Sequence, residues 1–226
     1  MIPNIIIPIL GRYDLLDRCL ASIDCEVGEI IIIDNGDELT SEALLPYDGK
    51  LRIIRSPSNL GIATSWNLGI KMLPRDSGWI IIGADVYFEP GHLAAWYSDA
   101  RKDQILLGGN PPWCCFHIGR EVVERVGLFC ERFHPAYFED NDYQKRAEIA
   151  GVTCYHSPIP IGHDNSAVLN SSQDLQRRNQ RTYEKNHQTF QRRWHGLAEG
   201  ETPVVEEWDL LERCEYSWDD AGDTVE

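Results

Sequence analysis

A chain of 226 residues, 42% hydrophobic and 25% charged, has the make-up of one globular domain that can bury a core without disulfides or a structural metal. Its formal net charge of −15 repels phosphate backbones and disfavours broad nucleic-acid binding. Met1 leads almost at once into an isoleucine strand rather than a basic leader, no apolar run reaches bilayer length, and the seven cysteines follow no metal or disulfide spacing. The expectation is a cytoplasmic enzyme with reduced thiols.

Residues 4–9 are a short aliphatic strand, followed by Gly11 and Arg12. Leu15, Leu16, Cys19, Leu20 and Ile23 recur at helical spacing over 13–23. Residues 29–33 carry four consecutive isoleucines and stop at Asp34-Asn35-Gly36, which suits a parallel strand buried on both faces. A short helix is predicted at 40–45, a strand at 51–55, a helix at 62–73, and a strand at 79–82 ending in Gly83-Ala84-Asp85. The second half is less regular. It predicts a helix at 89–100, a strand edge at 106–107, a strand at 116–118 feeding a helix at 120–126, a helix at 140–150 closed by Gly151, and a long polar-faced helix at 175–194. An acidic tail follows from 199 to 226.

Strands alternating with helices predict an α/β fold with a doubly wound, mostly parallel central sheet. Ligands in such sheets bind outside the carboxyl ends of the strands. Residues 8–13, 34–37 and 85–87 all lie at such ends and are expected to share one crevice.

Five motifs carry the chemistry. Asp34 ends a buried strand and can accept hydrogen bonds from a base or ribose, although Asp-Asn-Gly is also plain turn chemistry. Asn59 and Gly61 enter the helix containing Asn67, where free backbone N–H groups favour phosphate; helix capping alone also explains them. Asp85 is placed to hold a hard divalent cation on a diphosphate, or to cap the next turn. Glu139, Asp140 and Asp142 cluster at a helix start, where the dipole favours an ionised carboxylate able to act as a general base. His163, after Gly162, offers a neutral imidazole to the same cation, although a lone histidine is more often structural.

In order, these pieces resemble the inverting family 2 glycosyltransferases, especially their rhamnosyltransferase-like branch. The matching segments are IIIPILGRYDLLDRCLASI, EIIIIDNGDE, NLGIATSWNLGI, WIIIGADVYFEPG, YFEDNDYQKR, GHDNSAV and NQRTYEKNHQTFQRRWHG. The resemblance spans roughly residues 3 to 196. It implies a single GT-A-like domain over 1–198, with a nucleotide-sugar half at 1–88 and an acceptor half at 89–198. It implies that Pro8, Arg12 and Asp34 surround the base and ribose, and that Asn59, Gly61 and Asn67 lie beside the nucleotide and diphosphate. It implies that Asp85 and His163 bind Mn²⁺ or Mg²⁺. Asp140 becomes the catalytic base, with Glu139 its partner in the catalytic pair.

The implied donor is a UDP-, GDP- or dTDP-linked hexose or deoxyhexose. The implied acceptor is a glycan, a protein, a lipid-linked sugar or, lowest in order, a modified nucleic acid. Two positions depart from the pattern: Gly83 replaces the first acid of the DxD motif, and Leu10-Gly11 replaces the usual Tyr-Asn before Arg12. A sugar nucleotidyltransferase and a non-catalytic nucleotide- or carbohydrate-binding module are the alternatives. The single Gly and single Arg of ILGRYD disfavour the first, and the EDND cluster would have no purpose in the second.

Overall fold

The computed structural model describes residues 1–39, 51–164 and 173–204. Their elements follow as β1 (Ile2–Ile9), α1 (Tyr13–Ala21), β2 (Val27–Asp34), β3 (Leu51–Arg55), α2 (Ile62–Met72), β4 (Gly78–Ile82), β5 (Val86–Tyr87), α3 (His92–Tyr97), β6 (Gln104–Gly108), β7 (Cys115–Gly119), α4 (Arg120–Val126), α5 (Glu139–Ile149), β8 (Thr153–His156), β9 (Gly162–His163) and α6 (Gln173–Trp194). Seven strands form one sheet in the order β3-β2-β1-β4-β7-β6-β8, and β5 pairs with β9 in a separate ribbon.

The expected mostly parallel α/β sheet is present. One strand reverses: β7 runs antiparallel to both β4 and β6. Residues 109–114, which join β6 to β7, are too few for the crossover that a parallel pair needs. The helix expected over 89–100 shortens to α3, because Pro90 and a left-handed Gly91 (φ 79°) delay its start. Strands β5, β8 and β9 were not predicted. The helix expected at 40–45 and the acidic tail beyond 204 lie outside the described residues.

The isoleucine runs explain themselves in the sheet. Side chains alternate along a strand, so Ile6, Ile31, Ile33 and Ile81 face one layer and Ile5, Ile7, Ile30, Ile32, Ile80 and Ile82 the other. Trp66 and Ile70 of α2, Val122 and Val123 of α4, and Tyr143 and Ala147 of α5 cover the first face. Leu16, Cys19 and Leu20 of α1, with Leu93 and Trp96 of α3, cover the second. Each buried isoleucine contributes about 1.5–3 kcal/mol over leaving it in water. Gly69 brings α2 close to the sheet: a Cβ there would lie 2.5 Å from Ile6 Cγ2.

A buried charge cluster joins α5 to α6. Asp142 is fully buried and accepts from Arg146 Nε (2.9 Å), Arg193 Nε (2.8 Å) and Trp194 Nε1 (3.0 Å). Arg146 also donates to the carbonyls of Val126 and Leu128, which bind the segment after α4 into the same cluster. Near the middle of α6, buried Asn186 donates to Ala136 O (2.6 Å). The long helix therefore clamps residues 126–136 against the sheet.

All six described cysteines are free thiols. Among the described residues, no helix is long and apolar enough to cross a membrane.

Two stability outcomes follow. Asp142→Ala leaves two arginines buried without their shared acceptor, and should cost about 3–5 kcal/mol in urea denaturation; a change below about 1 kcal/mol would contradict the clamp. Burial lowers the pKa of His117 to about 4, so the folded chain holds it neutral. Its contribution is present above about pH 6.5 and is lost as pH falls towards 4, because only the unfolded chain takes the proton. Between pH 7 and pH 5 the wild type should lose about 2 kcal/mol that His117→Leu does not lose. Parallel pH–stability curves for the two proteins would exclude this role.

Candidate functional site

A cleft of about 460 Å³ opens at the carboxyl edge of the sheet. The ends of β1 and β4 supply Pro8, Ile9, Ile81 and Asp85; the turn after β1 supplies Leu10, Gly11 and Arg12. Asn35, Asn59 and His163 complete that side, and Trp66, Trp113, Pro135, Ala136, Asn179 and Thr182 line it from the helices and loops. Parallel strands all deliver their carboxyl ends here, which is why distant segments converge.

Asp85 and His163 meet. His163 Nε2 lies 3.1 Å from Asp85 Oδ1, with both side chains mostly shielded from solvent. The ribbon fixes them: Val86 pairs with His163, and Asp164 N donates to Asp85 O (3.1 Å). Arg18 braces the ribbon by pairing with Asp164 (2.5 Å) and lying over the Tyr87 ring at 4.2 Å. Burial alone would lower the His163 pKa, but the hydrogen bond and charge of Asp85 reverse that and raise it. Gly83, at the position of the missing first acid, has a structural consequence: a Cβ there would stand 2.8 Å from Asp85 Oδ1.

No group of three metal-binding side chains forms among the described residues. Asp85 and His163 supply one hard oxygen and one imidazole. Mg²⁺ and related cations are commonly held by one or two protein ligands completed by substrate phosphates and water, so the pair fits such an ion only together with a diphosphate.

The residues expected beside the donor separate into two groups. Pro8, Arg12 and Asn59 line the cleft. Gly11 (φ 69°) and Arg12 (φ 51°) are both left-handed, which carries the chain sharply off β1, and Arg12 binds Asp14 through two hydrogen bonds of 2.8 Å.

Asp34, Gly61 and Asn67 are not among the lining residues. Asp34 is fully buried, and its carboxylate accepts from Tyr13 Oη (2.8 Å), Gly36 N (3.0 Å) and Leu39 N (2.9 Å). It holds the turn after β2 rather than facing the cleft. Asn67 is likewise fully buried; it donates to Phe129 O and accepts from Phe129 N, which pins the loop after α4. Gly61 lies under the neighbouring loop, where a Cβ would meet His134 at 2.9 Å and Pro135 O at 3.0 Å.

The phosphate cradle expected at the start of α2 is filled by the protein itself. Leu60 N donates to Asn35 Oδ1, Gly61 N to Asn59 Oδ1, and Ile62 N to Pro135 O.

The acids at the start of α5 have three different fates. Asp142 is structural, as described above. Glu139 is buried, its Oε2 has no hydrogen-bond partner, and burial with the charge of Asp140 pushes its pKa up to about 8. Desolvation thus outweighs the helix dipole and favours its neutral form. Asp140 is half-buried at the first turn of α5, and burial raises its pKa as well, which makes its carboxylate a stronger base. It follows Pro135 and Ala136 of the cleft wall by only a few residues but does not itself line the cavity.

Sequence reasoning missed Trp113, Cys114, Pro135, Ala136, Asn179 and Thr182, and read Asn35 only as a turn residue. Trp113 and Cys114 precede β7, and only its reversed direction brings the beginning of a strand to this edge. Asn179 and Thr182 arrive because α6 folds back, which no local pattern records.

The family model for glycosyl transferase family 2 matches residues 4–157. A galactofuranosyl glycosyltransferase of Leishmania donovani is 24% identical, the match covering 75% of this chain and 58% of that protein. The crystal structure of GalNAc-T7 with UDP, GalNAc and Mn²⁺ aligns with a TM-score of 0.56 at 14% identity, covering 72% of this chain and 44% of that one. The structure of Staphylococcus aureus TarS residues 1–349 aligns with a TM-score of 0.56 at 13% identity, covering 88% and 76%. The chain thus spans little more than half the length of its galactofuranosyl relative and less than half of GalNAc-T7. The fold is that of these GT-A enzymes, and with the family model matched over most of its sheet and cleft, the chain belongs to glycosyltransferase family 2.

Proposed function

We propose that this protein is a metal-dependent, inverting glycosyltransferase that moves a hexose or deoxyhexose from a nucleoside-diphosphate sugar to an acceptor hydroxyl by single displacement. The observation that carries the reading is the 3.1 Å contact between Asp85 and His163 in the wall of a cleft that Pro8, Arg12 and Asn59 also line.

In this reading the nucleotide lies along the ends of β1 and β2, beside Pro8 and Asn59. Arg12 adds positive charge at the rim, and Asp85 and His163 hold Mn²⁺ or Mg²⁺. A cation held by these two residues would supply Lewis-acid offset of the charge on the departing diphosphate. Asp140 takes the proton of the acceptor hydroxyl. The acceptor oxygen then forms its bond to the anomeric carbon as the bond to the diphosphate breaks on the opposite face, which inverts the configuration.

Burial and the charge of Asp140 push Glu139 towards its neutral form, which favours Asp140 as the base. Trp66, Trp113 and Ile62 form an apolar wall that limits competing water. UDP and Mn²⁺ are the first choice of ligands because the GalNAc-T7 structure contains both. Free thiols support a cytoplasmic setting.

Asp140→Asn should retain donor binding and lower transfer at least about 100-fold, the usual range for a lost general base. Near-normal turnover would reject the role. Calorimetry should show Mn²⁺ and UDP binding together more tightly than either alone. Asp85→Ala or His163→Ala should remove that coupling, and full activity of the wild type in EDTA would exclude the metal.

A further inference from the structure

We propose that the aromatic strip formed by Tyr137, Phe138, Tyr183 and His187 is the acceptor platform, and that it takes a pyranose ring by stacking. This rests on the glycosyl-transfer reading and names the acceptor class for it.

The strip has features that core packing does not require. Tyr137 (φ 77°) and Phe138 (φ 75°) are consecutive non-glycine residues in the left-handed region, a costly arrangement that surrounding structure must enforce. The two rings point at α6. Tyr137 meets Tyr183 edge-on at 5.6 Å, and Phe138 lies 5.0 Å from Tyr183 and stacks on His187 at 5.3 Å. The far side of the strip is open: Tyr183 is 46% exposed, and His187 is exposed, on a helix whose solvent face is otherwise charged and polar.

The strip is continuous with the cleft. Tyr137 Oη donates to Asn179 Oδ1 (2.5 Å), and Asn179 and Thr182 are both in the cleft wall. The Asn179 amide can therefore still donate from its nitrogen at the junction.

A pyranose presents an apolar C–H face and a rim of hydroxyls. Aromatic faces with amide and hydroxyl groups at their edge match both. Asp140 comes two residues after Phe138, at the start of α5. The strip therefore adjoins, along the chain, the residue assigned to take the acceptor proton. Nucleic acid, which also stacks on aromatic rings, is disfavoured by the net charge of −15.

Saturation-transfer NMR with methyl β-D-galactopyranoside, methyl β-D-glucopyranoside, methyl α-D-mannopyranoside and xylobiose tests the platform, with calorimetry of UDP plus Mn²⁺ run on the same samples. At least one glycoside should bind the wild type. Tyr183→Ala should weaken it about tenfold, as expected for loss of one stacking ring, and Tyr183→Phe should restore it. UDP affinity, which also reports folding, should stay unchanged in both variants. The platform is overturned if no glycoside binds a wild type that binds UDP, or if Tyr183→Ala binds the glycoside as tightly as the wild type. Absence of UDP binding to the wild type would instead defeat the transfer reading, and the glycoside titrations would still decide whether the strip holds sugar.

Discussion

The cleft depends on one buried carboxylate. Asp142 draws Arg146, Arg193 and Trp194 to a single point, and Arg146 carries the bond on to the backbone after α4. Charges removed from water are stable only when paired and hydrogen-bonded, so each partner makes the others necessary. The cluster fixes the C-terminal end of α6 against α5. Once α6 is fixed, Asn186 can hold the carbonyl of Ala136, and Asn179 and Thr182 can enter the cleft wall. The QRRW segment near the end of α6 is therefore an anchor for the site, although Arg193 and Trp194 do not line it.

The start of α2 sets a second constraint. Three backbone N–H groups that could have faced a phosphate are taken by Asn35, Asn59 and Pro135. The protein spends these donors on closing its own loops. Positive charge for a diphosphate then has to come from elsewhere at the rim: from Arg12, and from a cation that the Asp85–His163 pair would hold. The same closure explains Gly61, whose missing side chain gives Pro135 and His134 room to cross the helix start.

Burial separates carboxylates that the sequence presents as a group. Asp34 and Asp142 become hydrogen-bond hubs, Glu139 is pushed towards its neutral form, Asp85 lines the cleft, and Asp140 stays half-buried at the start of α5. Chemical identity is nearly constant across the five. Their surroundings decide which can exchange a proton or hold a cation.

The sequence alone determined most of the sheet and its cleft edge, because side-chain alternation and apolar runs are local signals: four isoleucines stopped by the turn residues Asp34-Asn35-Gly36 suit a strand covered on both faces. It also pointed to Asp85, at the end of a strand, and to His163, after a short apolar run and Gly162, while only the family resemblance gave the two a shared cation. It could not determine the direction of β7, the capture of Asp34 by Tyr13, the closure of the α2 start by Pro135, or the return of α6. Those depend on contacts between residues tens of positions apart. Whether a polar side chain faces ligand or protein is settled by which hydrogen-bond partner reaches it first, and only the tertiary structure contains that information.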